Sequence, residues 1–372
     1  IVRMVEQGFE LSEASNTPVM LMMRIRTCHM YGSFVARDNR RPPFTVRDAL
    51  VSPVRTYDKI ILPPSTYLQE QQKIHERWPA AVRFIAEHQL NEFRSGPLDH
   101  IGLIVQGGLF NSLLRALERL GLADIFGESQ IPIYVLNVTY PLVPEEVQRF
   151  AGGKRAVLVV EEGQPEFLEQ ALSHLLAGAQ STTQVVGKGP FPAAGEYTAA
   201  VMLEGLSQFL QRHAPELLKR PSPSVPESPL KPQGRLAAML ASDVPPRPSG
   251  LCTGCPERPL FASMKLLQRE LGPMHISADI GCHSFATLPP FDMGASIMGY
   301  GLGAAGAAAL SNVADRRAIS LMGDGGFWHN GLTSGIGNAV FNRHDGVTII
   351  VDNGYSAATG GQYIPSSRAE ME

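Results

Sequence analysis

Three apolar runs constrain the fold of this chain more than any other feature: "HIGLIVQGG" at 100–108, "IPIYVLNV" at 131–138 and "RAVLVVEEG" at 155–163. Each is short and closed by turn residues. The stretches between them, "NSLLRALERLGLADIF" and "PEEVQRFA", carry apolar residues at helical spacing, the second with Pro144 at its start. Strands without a polar face that alternate with helices of this length belong in a parallel sheet covered by helices on both sides. The expected fold class is therefore α/β, built of parallel-sheet, helix-covered domains.

The pattern returns towards the carboxyl end. A glycine-rich segment, "MGASIMGYGLGAAGAAAL", precedes a strand "RAISLMG", a helix expected from about 331 to 342 and a strand "GVTIIVDN". In an open parallel sheet, ligands sit beyond the carboxyl ends of the strands. Asp324 and Asn353 each fall at such an end, and one crossover helix separates them, so they are expected to be neighbours in space. A carboxylate and a carboxamide are oxygen donors that suit a hard cation such as Mg2+, which recruits ligand phosphates and keeps water. Gly323, Gly325 and Gly326 would let the backbone approach those phosphates. Gly-Asp-Gly alone reads as a turn. Its spacing, 26 residues before Asp352-Asn353 with strands on both sides, instead looks like the thiamine diphosphate motif.

Length and composition bound the rest. The 372 residues leave room for two or three domains, and 44% hydrophobic with 18% charged residues is a soluble, globular balance. A formal net charge of -3 without a long basic run gives no electrostatic case for nucleic acid or a membrane surface. No apolar run reaches the roughly 18 residues of a membrane span, and a cytoplasmic location is the default expectation. The chain opens without methionine and stops just after a motif-rich segment, so it reads as the interior of a longer polypeptide. Residues 1–35 read as a helix followed by a buried strand in "TPVMLMMRIR", and 36–96 as a connector with a helix in "STYLQEQQKIHERWPAAVRFIAEHQLNEF". Nine prolines between 215 and 248 mark a linker.

Four cysteines are too few for a disulfide framework, and Cys252-x-x-Cys255 suggests metal or redox chemistry. Zinc would need a fourth ligand, which His283 or His275 could supply. A buried, inert Cys282 is the plain alternative. Cys28 and His29 end the first strand and are candidates to face an active site, against a structural role for a lone histidine there. His329 and Trp328 follow the Gly-Asp-Gly closely, as candidates for proton transfer or stacking, against simple packing. Glu161 and Glu162 read as a domain contact.

"LCTGCPERPLFASMKLL", "SADIGCHSFATLPPFDMGAS", "MGDGGFWHNGL" and "NGYSAATGGQYIPSS" together resemble the thiamine diphosphate domain of the indolepyruvate ferredoxin oxidoreductase alpha-subunit family, in the 2-oxoacid:ferredoxin oxidoreductase superfamily. The resemblance covers 250–372 as a thiamine diphosphate-binding domain. It extends to 1–35 as the end of a pyrimidine-binding domain and to 97–190 as a transketolase-C-like middle domain, with 191–249 a helix and linker. It implies that Asp324, Asn353 and the Tyr355 carbonyl hold Mg2+, and that Gly281, Cys282, His283, Gly323, Gly325 and Gly326 line the diphosphate. His329 and His29 would be the catalytic candidates. Cys252, Cys255 and Cys282 resemble three of four ligands of a [4Fe-4S] cluster. Ala358 stands where pyruvate oxidoreductases commonly have asparagine, which puts pyruvate specificity in doubt.

The implied reaction is oxidative decarboxylation of an aryl 2-oxoacid to an acyl-coenzyme A, with ferredoxin or an equivalent electron acceptor and a second subunit or domain as partners. Two other classes stay open: a non-oxidative thiamine diphosphate-dependent lyase, which needs no C-x-x-C, and a zinc-stabilised binding protein without catalysis.

Overall fold

The computed structural model describes residues 1–24, 31–38, 44–53, 57–219, 250–310 and 316–369. The chain forms two compact units, Ile1–Lys231 and Pro232–Glu372. The proline-rich stretch, like Cys28 and His29, lies outside the described residues.

The first unit opens with α1 (Val2–Ser15), which ends at Asn16 in the left-handed conformation, φ 51°. The strand expected over 17–26 is not formed in its described part, 17–24. Strand-like composition holds no strand without a partner to take its N–H and C=O groups. Met20 and Met22 are 85% and 81% exposed instead. The segment is fastened at Arg24, which donates to Gly108 O (3.3 Å) and to Glu162 (2.8 Å).

After α2 (Val46–Val51), the helices α3 (Ser65–Gln72) and α4 (Trp78–Glu87) are joined by a π turn, Lys73–Arg77. The helix expected to reach residue 93 ends at Glu87. Gln89 takes φ 51°, and the chain leaves as a strand that the helical pattern had hidden. Leu11, Ala81, Ile85 and Leu90 pack α1 on α4.

That strand is β1 (Glu92–Arg94). With β2 (Ile101–Gln106), β3 (Ile133–Leu136), β4 (Ala156–Val160) and β5 (Gln184–Val186) it forms a sheet of order β1-β3-β2-β4-β5. All pairs are parallel except β1 with β3. Alternate residues of β4 divide between two cores. Ala156, Leu158 and Val160 face α5 (Phe110–Arg119) and α8 (Ala199–His213), whereas Val157 and Val159 face α6 (Pro144–Ala151) and α7 (Phe167–Gly178). Burial on both faces explains why these strands show no polar alternation in sequence.

Glu161 is 5% exposed and accepts from the N–H groups of Leu168 (2.9 Å) and Glu169 (3.2 Å), capping α7. Glu162 accepts from Tyr197 N and Arg24. Both carboxylates thus serve the interior of this unit.

The second unit carries α9 (Glu257–Leu271), β6 (Ile276–Ala278), β7 (Ser296–Ile297), α10 (Gly303–Leu310), β8 (Ile319–Gly323) and β9 (Val347–Val351). Its sheet has the order β7-β6-β8-β9 and is parallel throughout. The helix expected from about 331 begins at Asp324. It comprises α11 (Asp324–Gly326), a π stretch Phe327–Ile336 and α12 (Gly337–Phe341). Glycine disfavours helix by about 1 kcal/mol per residue. Here close packing demands glycine, since a Cβ on Gly326 would lie 2.0 Å from Asp279 Oδ2. A hairpin of β10 (Tyr355–Ser356) and β11 (Gln362–Tyr363) and the helix α13 (Pro365–Ala369) follow. The α/β, parallel-sheet fold class holds in both units. Among the described residues no helix is long and apolar enough to cross a membrane.

Candidate functional site

Strands β8 and β9 pair in register from Ile319 with Val347 to Gly323 with Val351, so both end at one level. Asp324 follows one strand and Asn353 the other. The Asp324 carboxylate is 5% exposed and accepts three backbone hydrogen bonds: Oδ1 from Gly325 N (2.7 Å), Oδ2 from Asn353 N (3.0 Å) and Gly354 N (2.8 Å). It is the clasp between the two strand ends. Burial pushes this carboxyl above the ordinary range. The N–H of Asn353 opposes that push, Asp352 adds to it, and the N–H groups of Gly325 and Gly354 oppose it without reversing it. A cation beside it would.

The Asn353 amide supplies the fit test for such a cation. Its Oδ1 faces acceptors. The position it occupies is 3.2 Å from Asp324 Oδ2 and 2.7 Å from the Tyr355 carbonyl, with only a long contact (3.4 Å) from Tyr355 N. Two arrangements relieve three converging oxygens. The amide turns over so that its NH2 donates to both neighbours, or a cation sits among them. Adjacent ligands of octahedral Mg2+ at 2.0–2.1 Å stand about 2.9 Å apart, and the two separations fall either side of that value. The donor set of Asp324, Asn353 and Tyr355 O therefore fits Mg2+.

A cleft opens beside these groups. Gly281, Cys282, His283, Gly323, Asp324, Gly325, Gly326, Asn353 and Tyr355 all line it, so the nine residues singled out for cofactor binding are brought together. Gly325 stands so close to the wall that a Cβ would lie 2.3 Å from Tyr300 Oη and 2.7 Å from Ser356 Oγ. The helix beginning at Asp324 turns its amino end towards the cleft, where backbone N–H groups and the helix dipole favour anions.

The lining also holds residues the sequence did not single out. Tyr300 hydrogen-bonds Ser356 (2.8 Å). Glu257, 8% exposed, has a buried Oε2 without a partner. Burial pushes this carboxyl up, His283 draws it back and Asp279 pushes it further up. Beneath the cleft, Asp279 is wholly buried, and His283 Nε2 lies 2.5 Å from its Oδ1. Burial by itself would lower the His283 imidazole, but the Asp279 carboxylate and Glu257 together hold it above the ordinary range. The only sequence signal was position: Glu257 opens α9, and Asp279 ends β6 as Asp324 ends β8.

Other candidates stand apart. His329 is exposed and outside the lining; its ring packs on Tyr300 at 5.1 Å. Trp328 is 42% exposed and meets Phe327 edge-on. Cys252 N-terminal to α9 is exposed, and Cys255 closes a turn back to its carbonyl (3.2 Å). Burial pushes the Cys282 thiol up, with Glu257, Cys255 and Cys252 adding to the effect. Among the described residues no three His, Cys, Asp or Glu side chains are spaced to hold a metal ion. Cys252 and Cys255 lie within electrostatic reach of Cys282.

Residues 279–371 match the family model described as thiamine pyrophosphate enzyme, C-terminal TPP binding domain. The chain is 28% identical over 375 residues to indolepyruvate oxidoreductase subunit IorA of Methanothermobacter thermautotrophicus, covering 98% of this chain and 55% of that protein. IorA of Archaeoglobus fulgidus is 28% identical over 366 residues, with 96% and 53% covered. IorA of Thermococcus kodakarensis is 26% identical over 386 residues, with 98% and 55% covered. The chain thus spans about half the length of the curated relatives it matches. A solved 2-oxoglutarate:ferredoxin oxidoreductase from Magnetococcus marinus aligns with 40% of this chain and 24% of its own at 16% identity and a TM-score of 0.28, too partial to bear on the site. The cleft lies within the matched segment apart from Glu257; the chain is thus similar to the indolepyruvate oxidoreductase IorA subunits, and its residues 279–371 to the C-terminal TPP binding domain of thiamine pyrophosphate enzymes.

Proposed function

We propose that the cleft at the carboxyl ends of β8 and β9 holds thiamine diphosphate through Mg2+. The chain then supplies the cofactor-binding part of an oxidoreductase that decarboxylates an aryl 2-oxoacid such as indolepyruvate. Coenzyme A takes the acyl group, carbon dioxide leaves, and two electrons pass to a ferredoxin-type acceptor, with a second subunit or domain completing the assembly. The convergence of Asp324 Oδ2, the Asn353 amide and the Tyr355 carbonyl carries the cofactor reading, because a carboxylate, a carboxamide able to turn its oxygen inward and a carbonyl at a helix amino end suit a metal diphosphate. The similarity to IorA subunits supports the substrate class.

When bound, the thiazolium ring supplies the electron sink for loss of carbon dioxide. The chain's own residues bind and orient. Asp324, Asn353 and Tyr355 O would hold the cation, and Gly323, Gly325 and Gly326 admit the phosphates without side-chain obstruction. Tyr300 and Ser356 wall the cleft on the side of β10.

Calorimetry on the intact protein tests the reading. Thiamine diphosphate should bind only with a divalent cation, and Asp324→Ala should abolish binding. Cation-independent binding, or unchanged affinity in the variant, would remove the central claim.

A further inference from the structure

Asp279 belongs to none of the expected cation or phosphate groups, yet it is the point on which the cleft is assembled. It follows β6, is wholly buried, and makes contact in three directions. Its Oδ2 accepts from Gly301 N (2.8 Å), fixing the turn before α10. The same oxygen lies where a Cβ on Gly326 would come within 2.0 Å, so it abuts the start of the Asp324 helix. Its Oδ1 and its carbonyl oxygen lie 2.5 Å and 3.1 Å from His283 Nε2.

Both neighbours of Nε2 are acceptors, so Nε2 carries a proton and donates to Asp279. The Nε2–H is aligned with the carbonyl, and the approach to Oδ1 is ionic. The imidazole is 2% exposed, and Nδ1 has no partner among the described residues. A Cβ on Gly281 would lie 2.4 Å from His283 Cε1 and 2.9 Å from Nδ1, and one on Gly323 would lie 3.9 Å from Cε1. The Cε1–Nδ1 edge of the ring therefore stands against Gly281 of the cleft wall, with Cε1 also within van der Waals reach of a Cβ at Gly323. A ring committed through one nitrogen presents the other in a single orientation, as second-shell carboxylates do for ligating histidines.

We propose that Asp279 is the positioning residue of the cleft: it holds His283 through Nε2 so that Nδ1, beside Gly281, is the hydrogen-bonding group offered to the phosphate end of the cofactor. This rests on the thiamine diphosphate reading above. It adds a residue that acts through another and assigns His283 one atom for contact, where its family resemblance implied only a place in the lining.

The test uses the intact protein with 15N-labelled histidines, and Mg2+ with thiamine diphosphate as the probe. In the free protein one histidine, identified by the loss of its signals in His283→Gln, should show a protonated Nε2. The probe should move its Nδ1 resonance more than its Nε2 resonance. Asp279→Asn, which sets an NH2 against either the Gly301 N–H or the Nε2–H, should weaken calorimetric binding of the probe about ten- to a hundredfold. It should also remove the fixed Nε2–H signature. His283→Gln leaves Asp279 and its tie to Gly301 in place and should weaken binding by a similar factor, which keeps the test decisive if Asp279→Asn does not fold.

Absence of probe binding by the parent protein would overturn the cofactor reading and this proposal together. Binding by the parent that is matched within about twofold by both variants, or an unmoved Nδ1 resonance, would overturn the positioning role alone.

Discussion

Two glycines of the second unit form a matched pair that separates backbone conformation from crowding. Gly301 and Gly354 have nearly the same φ, 79° and 80°. Each donates its N–H to a carboxylate at 2.8 Å, Gly301 to Asp279 and Gly354 to Asp324. They differ in what a Cβ would meet. At Gly354 there is nothing within 4 Å, whereas at Gly301 the atom would lie 2.5 Å from Gly326 O and 2.6 Å from Gly331 N. Those are backbone atoms of the helical stretch that starts at Asp324, and they cannot turn aside as a side chain would. A left-handed alanine costs about 1–2 kcal/mol at either position. Overpacking adds about 1–3 kcal/mol at Gly301 alone. Gly354→Ala should therefore lose about 1–2 kcal/mol and Gly301→Ala about 2–5. At about 3–4 °C per kcal/mol for a unit of this size, the melting temperature should fall by about 3–8 °C and 6–20 °C. Thermal unfolding without cofactor measures both. Equal shifts, or a Gly301→Ala protein that melts within about 2 °C of the parent, would refute the packing of the Gly301 turn on that helix.

Two further outcomes are expected elsewhere in the chain. His213 in α8 is 6% exposed, and its Nε2 has no partner among the described residues. Burial first, then Arg155 and Arg212, lowers its imidazole. The unfolded chain therefore takes up a proton near pH 6.5 that the folded unit refuses, and stability falls as pH drops from there towards the lowered folded value, by at most about 1.4 kcal/mol per pH unit. His213→Phe should flatten that part of the urea-unfolding profile between pH 6.5 and 5, and an unchanged slope would count against it. The raised Cys282 thiol should alkylate more slowly at pH 8 than exposed Cys252, as read by mass spectrometry, because the thiolate is the reactive form. Equal rates would contradict the partial burial of Cys282. Shared protection of Cys252, Cys255 and Cys282 in anaerobically prepared intact protein would show a metal drawing them together.

The parts of the site that were legible in the sequence are those fixed by strand ends. Two apolar runs joined by one helix must lie side by side, so Asp324 and Asn353 meet whatever else the chain does. The same rule recovered β2, β3 and β4 with their crossovers. Where the outcome depended on a partner, the reading failed. Residues 17–24 have the composition of a strand but no strand beside them. The start of the helix at Asp324 was hidden because its glycines argue against helix, until packing on Asp279 and Tyr300 shows why nothing larger fits. Glu257 was masked by its place behind Pro256, where an acidic residue is an ordinary helix opening. Asp279 was invisible because its contacts reach Gly301 and Gly326, far along the chain, as well as His283 four residues on.

The charge balance of the cleft ties these observations to the requirement for a metal. Glu257 and Asp324 line it and Asp279 lies beneath, while among the described lining residues there is no lysine or arginine. His283 is the sole side chain there able to carry positive charge, and it is already committed to Asp279. A diphosphate brought to such a wall would meet carboxylates with little to offset them beyond backbone N–H groups and a helix end, whose favourable contribution is about 0.3–1 kcal/mol, reaching about 2 in partly buried geometries. Burial already pushes Asp324 and Glu257 above the ordinary carboxyl range before any anion arrives. On the proposed reading the anion would become tolerable only with a divalent cation held by Asp324, the Asn353 carboxamide and the Tyr355 carbonyl, and a strict dependence on the cation, more than affinity itself, would then distinguish this cleft from a general anion site.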